Sequence, residues 1–433
     1  MNSVSDALRR HALDRPASIA LHDLATDRRF DYRELDRLVD AACRYLASLG
    51  LHAGDRLALV VDNTIEFCLL FLASLRYGTI ANPHPYMFSA AEIAADLEAT
   101  PPAAVMVAHE RVSEFTAGPG RPAVVDVPSG GDFLEALASV RGRGVCNPWP
   151  REGVACLYPS CGAEDDPRGI LYSHANLSAL IPSICRGLRH SPADVHLVVL
   201  PLAHAAALSY SLLPAWWCGA TIVLARGFWP IRNDFWEIVR AHRVNRVQVV
   251  PTVLVMLLHL AARPRAGLML PYVGCGSAPL PLRVQLGFEE TFGLRVANLY
   301  GLSETGPTHV DDPTEPDWKA GSIGVPLDVN EVAILDPEGL PYADGQEGEI
   351  AIRGDNVFGG YAVNPHAAAG RFVRGFFRTG DLGYRDPRDG RHHFTGRRKR
   401  LIIKGGINIH PSDGSSPLST WVSGCVVRVL SVV

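Results

Sequence analysis

The chain has 433 residues, enough for a large buried core and more than one structural unit. Hydrophobic residues make up 47% and charged residues 20%, which excludes a disordered chain. A net charge of −4 provides no field to attract nucleic acid or an anionic membrane, and no apolar run reaches the ~18–20 residues that span a bilayer.

The N-terminus, MNSVSDALRRHALDRP, lacks an apolar signal core. Nine cysteines are scattered with no C-x-x-C pair, which argues against a zinc or disulfide framework and for a reducing, cytoplasmic setting. Residues 5–50 read as helix, short strands and helix, with Asp31 capping the second helix and Glu34 three residues on. A strand at 56–62 leads into an apolar helix from Glu66 that ends at Gly78. Further strands are expected in ATPPAAVMVA, PAVVDV and VACLYP. Strands and helices then alternate: strands 197–202, 220–225, 247–251, 272–276 and 296–301, and helices 233–242, 252–261 and 281–291. That alternation indicates an α/β unit with mostly parallel, buried strands. Beyond about residue 320 the pattern turns β-rich, through EVAILD, GEIAIRG, GYRD and HHFTG.

Chemistry-bearing motifs punctuate this pattern. Ser160 to Gly169 reads S-C-G-A-E-D-D-P-R-G and precedes a short apolar strand and Ser173-His174. Asn298-Leu-Tyr-Gly-Leu-Ser-Glu-Thr305 ends a strand at the edge where α/β ligand sites lie. There Tyr300 can stack on a flat base, Ser303 can donate to a phosphate or carboxylate, and Glu304 offers a hard oxygen to Mg²⁺. A strand-turn with an N-capping Ser would give the same string. Gly276-Ser277-Ala278-Pro279 is a small-residue turn that backbone can approach closely, and a routine strand-helix turn explains it equally well. Phe377-Arg-Thr-Gly-Asp-Leu-Gly-Tyr384 presents Asp381, an acceptor-only carboxylate, which a β-turn Asp before Gly383 would also supply. Arg397, Lys399, Gly405 and Gly406 fall in GRRKRLIIKGG, which a basic hairpin with a Gly turn would also produce.

Together these motifs resemble the adenylate-forming acyl ligases, of the acyl-CoA synthetase and aryl-acid AMP-ligase type, over roughly residues 5–411. The first motif is similar to that family's phosphate loop, (S/T)-S-G-(S/T)-T-G-x-P-K-G, and the second to Y-G-x-(S/T)-E. The resemblance implies an α/β fold: a large N-terminal domain over 1–396, with two mixed sheets packed with helices and a small β-barrel subdomain. A hinge and glycine-rich loop would follow at 397–411, and a remnant of the small C-terminal domain at 412–433. It implies ATP/AMP as nucleotide, Mg²⁺ at Glu304, and CoA or phosphopantetheine as thiol substrate. Catalytic roles would fall to Glu304, Ser303, His204 and Arg397. Nucleotide and thiol contacts would come from Ser160, Gly162, Arg168, Gly169, Gly276, Ser277, Ala278, Asn298, Tyr300, Gly301, Asp381, Lys399, Gly405 and Gly406. The partners implied are a small carboxylic acid and CoA or an acyl carrier protein, with no nucleic acid.

Leu200-Pro-Leu-Ala-His204 resembles the family's L-P-x-x-H segment, whose His sits near the acyl carboxylate. The small apolar stretch 205–213, with Tyr210, then Trp216-Trp217, and facing Val249-Val-Pro-Thr252, suggests an uncharged aryl or medium aliphatic acid. No Asp lies between Asp194 and Asp234 to meet an ammonium, which disfavours an α-amino acid.

Two departures from the pattern bear on activity. Ala163 and Glu164 stand where hydroxyl residues are expected, Asp165 where a Gly is, and Arg168 where a Lys is. Two unit charges ~4 Å apart at an effective dielectric of ~20 repel by about 4 kcal/mol, so carboxylates here oppose a triphosphate. Only 22 residues follow Pro411 and none is Lys, which reads as a truncated end. The expected function is an acyl ligase that forms an acyl-adenylate and passes it to a thiol. Two alternatives are an acyltransferase using preformed acyl-adenylate and a non-catalytic acyl/AMP-binding remnant.

Overall fold

The computed structural model describes residues 3–115, 122–141, 153–159, 169–260, 263–264 and 266–398, with the backbone of 402–404 and 407–409. Its first sheet has seven strands, ordered Arg295–Leu299, Tyr272–Gly276, Arg246–Val249, Val195–Val198, Thr221–Leu224, Ile19–Asp23 and Arg28–Asp31. All neighbours are parallel except the last pair. The second sheet runs Gly360–Tyr361, Ile170–Ser173, Val154–Tyr158, Ile80–Pro83, Arg56–Val60, Ala104–Ala108 and Ala123–Val127. Its first two neighbour pairs are antiparallel and the rest parallel. Both sheets are therefore mixed, and the antiparallel pairs lie at one edge of each.

Local sequence explains the helices that flank them. Asp31 accepts from the Glu34 N–H at 2.7 Å and starts Tyr32–Ser48. Thr64 caps Ile65–Tyr77, and Gly78, at φ +93°, ends it in the left-handed conformation. Every residue of Ile65–Tyr77 is buried, as an all-round apolar helix requires. Just before it, Asn63 joins the two sheets: its amide donates to the carbonyls of Leu200 (2.8 Å) and Ala225 (3.3 Å) and accepts from Leu202 N–H (2.8 Å). This buried clamp fixes the chain leaving the Val195–Val198 strand. That strand is shorter than the expected 197–202 because Pro201 turns the chain away.

The β-rich segment folds as an antiparallel sheet of Asn330–Leu335, Gly348–Gly354, Phe376–Arg385 and Phe372–Val373, with His392–Arg397 also on Phe376–Arg385. Tyr300, from the edge of the first sheet, packs into the same cluster as Ile323, Ile334, Ile350 and Ile352. The subdomain thus closes over the end of the first sheet. Ile402–Lys404 and Ile407–Ile409 pair antiparallel. Among the described residues no helix is long and apolar enough to cross a membrane.

Candidate active site

The C-terminal ends of three parallel strands, Arg246–Val249, Tyr272–Gly276 and Arg295–Leu299, open into a cavity of about 840 Å³, where a parallel sheet places its ligands. The subdomain supplies the opposite wall through Thr379, Asp381, Arg397 and Arg398. Segments distant in sequence therefore meet in one space.

The Tyr-Gly-Leu-Ser-Glu string is a tight hairpin. Gly301–Leu302 pairs with Gly306–Pro307. Thr305 N–H donates to Leu302 O, and Leu302 N–H donates to Thr305 Oγ1, both at 3.2 Å. That turn leaves Ser303 exposed and Glu304 half-buried at its tip, both on the cavity. A Cβ at Gly301 would lie 2.1 Å from Gly306 O, so only glycine permits the pairing. Glu304 Oε1 accepts from Tyr361 Oη at 2.9 Å, and Arg371 Nη1 lies 3.7 Å from the same oxygen. A carboxylate with about four lone-pair sites keeps most of its capacity after one such bond, so Glu304 fits a hard cation.

Asp381 is set by its own turn. Its N–H donates to Thr379 Oγ1 at 3.0 Å, Thr379 Oγ1 donates to Ile350 O at 2.6 Å, and Gly380 takes φ +77°. Asp381 and Arg397 are direct cross-strand partners. Tyr300 Oη donates to Asp381 Oδ2 at 2.9 Å. Asp381 Oδ1 stands 2.8 Å from Arg397 Nε, yet neither atom has a hydrogen-bond partner among the described residues. The two charges attract as a buried pair at the cavity wall, which both residues line. Burial pushes the Asp381 carboxyl pKa up, opposed by the Arg397 charge and the Tyr300 bond. Burial likewise raises the Tyr300 phenol pKa, so it remains a donor. A ribose diol fits an acceptor of this kind.

Asn298 lines the cavity with its amide donating to Ser322 O at 2.9 Å. Ser277 and Ala278 line it as well, Ser277 at φ +64°, a costly conformation for a residue with a Cβ. Gly276 stands outside the lining, where a Cβ would meet Leu299 O at 2.6 Å; its small size serves the sheet. Gly169 also lies outside it, at φ +41° against Leu157 and Ala362. Ser160, Gly162, Arg168, Lys399, Gly405 and Gly406 lie outside the described residues, although Pro159 and Ile170, on either side of the first motif, line the cavity.

The other end of the cavity is apolar. Ala203, His204, Ala205–Ala207, Tyr210 and Val250 form it, with a π-turn at Leu208–Leu212 inside an otherwise α-helical run. Burial lowers the His204 pKa, so the ring is neutral at pH 7. Tyr210 Oη donates to Tyr300 O at 3.1 Å and joins the two ends. Trp216 and Trp217 do not reach this space. Trp216 is fully buried with its indole N–H on Ala20 O at 3.3 Å, and Trp217 O lies 3.0 Å from His11 Nε2. Sequence reasoning passed over Tyr361, Arg371 and Glu349, which line the cavity and touch its charged groups; the Gly359-Gly360-Tyr361 string was the available signal.

A protein-family model described as AMP-binding enzyme matches residues 8–362. The chain belongs to the AMP-binding enzyme family. It is 31% identical to a probable CoA ligase of Humulus lupulus over 402 residues, 88% of this chain and 75% of that protein. It is 30% identical to oxalate–CoA ligase of Arabidopsis thaliana over 406 residues, 89% of this chain and 77% of that one. ATP-bound MatB from Rhodopseudomonas palustris superposes with a TM-score of 0.84 at 25% identity, covering 95% of this chain and 82% of that structure. The N-terminal domain of FACL13 from Mycobacterium tuberculosis shares the fold, with a TM-score of 0.82 at 24% identity, over 92% of this chain and all of that domain. This AMP-binding enzyme is thus an adenylate-forming acid–thiol ligase by class, with the fold of that class's N-terminal domain.

Proposed function

We propose that the chain activates an uncharged aryl or medium aliphatic acid with ATP and transfers the acyl group to CoA. The carrying observation is the union, in one cavity, of an end that bears Asp381 and Arg397 and an apolar end to which no described residue brings Arg or Lys. In the first step the acid's carboxylate oxygen bonds to the α-phosphorus and the bond to pyrophosphate breaks. In the second the thiol sulfur bonds to the acyl carbon, AMP leaves, and the thiol proton goes to solvent.

The residues divide these tasks. Asp381 accepts from the ribose hydroxyls, with Arg397 beside it, and Tyr300, Ser277 and Ala278 flank the base. Asn298 adds an amide, and Ser303 donates to phosphate oxygen from the exposed hairpin tip. Glu304 would hold Mg²⁺, which when bound neutralises phosphate charge. Neutral His204 meets the acid's carboxylate. Relatives are named for oxalate and sulfoacetate, acids with a second anionic group. Among the described residues no cation stands at the Ala203–Tyr210 end to pair such a group, and burying it unpaired is costly. CoA is favoured over a carrier protein by the CoA-ligase relatives, and a cytoplasmic setting by the cysteine pattern.

Incubation with ATP, Mg²⁺, CoA and single acids, followed by mass spectrometry, tests this. Benzoate or hexanoate should give acyl-CoA and oxalate should not; the reverse order would overturn the substrate class. Ala163, Glu164 and Asp165 favour one second reading, an acyltransferase that takes preformed acyl-adenylate. Thioester from synthetic acyl-adenylate and CoA, with none from acid and ATP, would select it.

A further inference from the structure

Three cations line the cavity among the described residues, and two are already committed. Arg397 Nε stands 2.8 Å from Asp381, and Arg398 Nη1 stands 2.9 Å from Glu349. Arg371 differs: its nearest carboxylate, Glu304, is 3.7 Å away, beyond hydrogen-bond distance. Its guanidinium is nonetheless held. Nη2 donates to the carbonyls of Arg378 and Thr379, both at 3.2 Å, and Cζ lies 4.9 Å over the Phe377 ring. Nη1 donates to Tyr361 Oη at 3.3 Å, on the side of Glu304. The backbone is fixed too, Arg371 N–H to Ala368 O at 2.9 Å and Arg378 N–H to Arg371 O at 2.8 Å.

We propose that Arg371 is a binding residue for the polyphosphate of the nucleotide, presenting Nη1 to phosphate oxygens beyond the α-phosphate. The site rests on the adenylate reading above and adds a residue to it. Two carbonyls and an aromatic face pre-orient the planar fork, so little side-chain entropy is lost when it engages an anion. The charge matters because Glu304, on the same side, is an anion that repels phosphate whenever no cation lies between them. A guanidinium next to it, with its charge not closed into a tight pair, offsets that repulsion.

Calorimetry on the full chain with ATP, pyrophosphate and AMP, in Mg²⁺ and at two salt concentrations, tests the assignment. Arg371→Gln should weaken ATP and pyrophosphate by about 10- to 100-fold, the scale of one charge-assisted bond, and flatten the salt dependence. AMP should change by less than about twofold, because no phosphate beyond the α position is present. Arg371→Lys should recover part of the ATP loss, since it keeps the charge without the fork. Equal weakening of ATP and AMP would show a merely structural role and overturn the proposal. Tighter ATP in Arg371→Gln would mean that Arg371 only blocks Glu304, and would also overturn it. Wild-type protein that binds AMP keeps the adenylate reading whichever way these ratios fall; one that binds neither nucleotide loses both.

Discussion

Replacing Asp381 with Asn removes a charge and keeps the shape. Asp381 is 2% exposed, holds Tyr300 Oη at 2.9 Å on one oxygen, and leaves the other without a hydrogen-bond donor beside Arg397. The amide oxygen of Asn can still accept from Tyr300, so that bond survives. Its NH₂ then points toward Arg397 Nε, donor against donor, and that guanidinium loses its counter-charge. Leaving a buried polar group mismatched costs ~1–3 kcal/mol of stability. The nucleotide loses more specifically: hydrogen bonds to a charged acceptor contribute ~1.5–3 kcal/mol, so one lost bond weakens AMP by roughly 10- to 150-fold. Titration calorimetry with AMP and its 2′-deoxy and 3′-deoxy forms makes a double-mutant cycle between protein and ligand. Wild-type protein should discriminate against a deoxy form, and Asp381→Asn should lose most of that discrimination. If the deoxy penalty is unchanged in the variant, Asp381 does not hold the ribose.

Four further outcomes come from other parts of the molecule. Gly301→Ala places a Cβ 2.1 Å from Gly306 O, so the hairpin must open and both thermal stability and Mg²⁺-dependent turnover should fall. Gly287→Ala, in a helix with nothing near its Cβ position, should instead gain ~0.5–1 kcal/mol and keep full activity. Asp311, buried and accepting from Asn298 N–H at 3.0 Å, has its pKa pushed up to about 7 chiefly by desolvation. An unfolded Asp titrates near 4, so between pH ~4 and ~7 the folded state holds a proton that the unfolded chain releases. Stability therefore falls as pH rises through that window, by ~4 kcal/mol at most, and Asp311→Asn should flatten the dependence in denaturant titrations at pH 5 and pH 8. Tyr210→Phe removes the bond to Tyr300 O but leaves that carbonyl its Thr308 N–H at 3.0 Å, so denaturation should show a loss of only about 1 kcal/mol.

The alternating strands and helices were legible because each element carries its own signal. Asp31 and Gly78 mark helix ends by local chemistry, and Tyr272–Gly276 coincides with its expected bounds. The edges of the sheets were not legible. Gly360–Tyr361 joins Ile170–Ser173 across about 190 residues, and nothing local announces such a pairing. The site divides the same way. Tyr300, Glu304 and Asp381 sit in strings long enough to stand out, whereas Arg371 looks like an ordinary surface arginine until folding brings it beside Glu304. Small residues misled in the other direction: Gly276 reads as a base-lining turn, yet the neighbouring strand's carbonyl is what excludes a side chain there. Trp216-Trp217 reads as pocket wall by proximity to His204, but the helix directs Trp216 into the core.

Formation of an acyl-adenylate from ATP in this cavity is a half-reaction that can be read apart from thiol transfer. Exchange of labelled pyrophosphate into ATP, driven by single carboxylic acids, measures that half-reaction without CoA. Mg²⁺-dependent exchange is expected with an uncharged aryl or medium aliphatic acid, and its loss in Glu304→Ala. No exchange with any acid from protein that still binds AMP, or undiminished exchange in Glu304→Ala, would contradict that expectation.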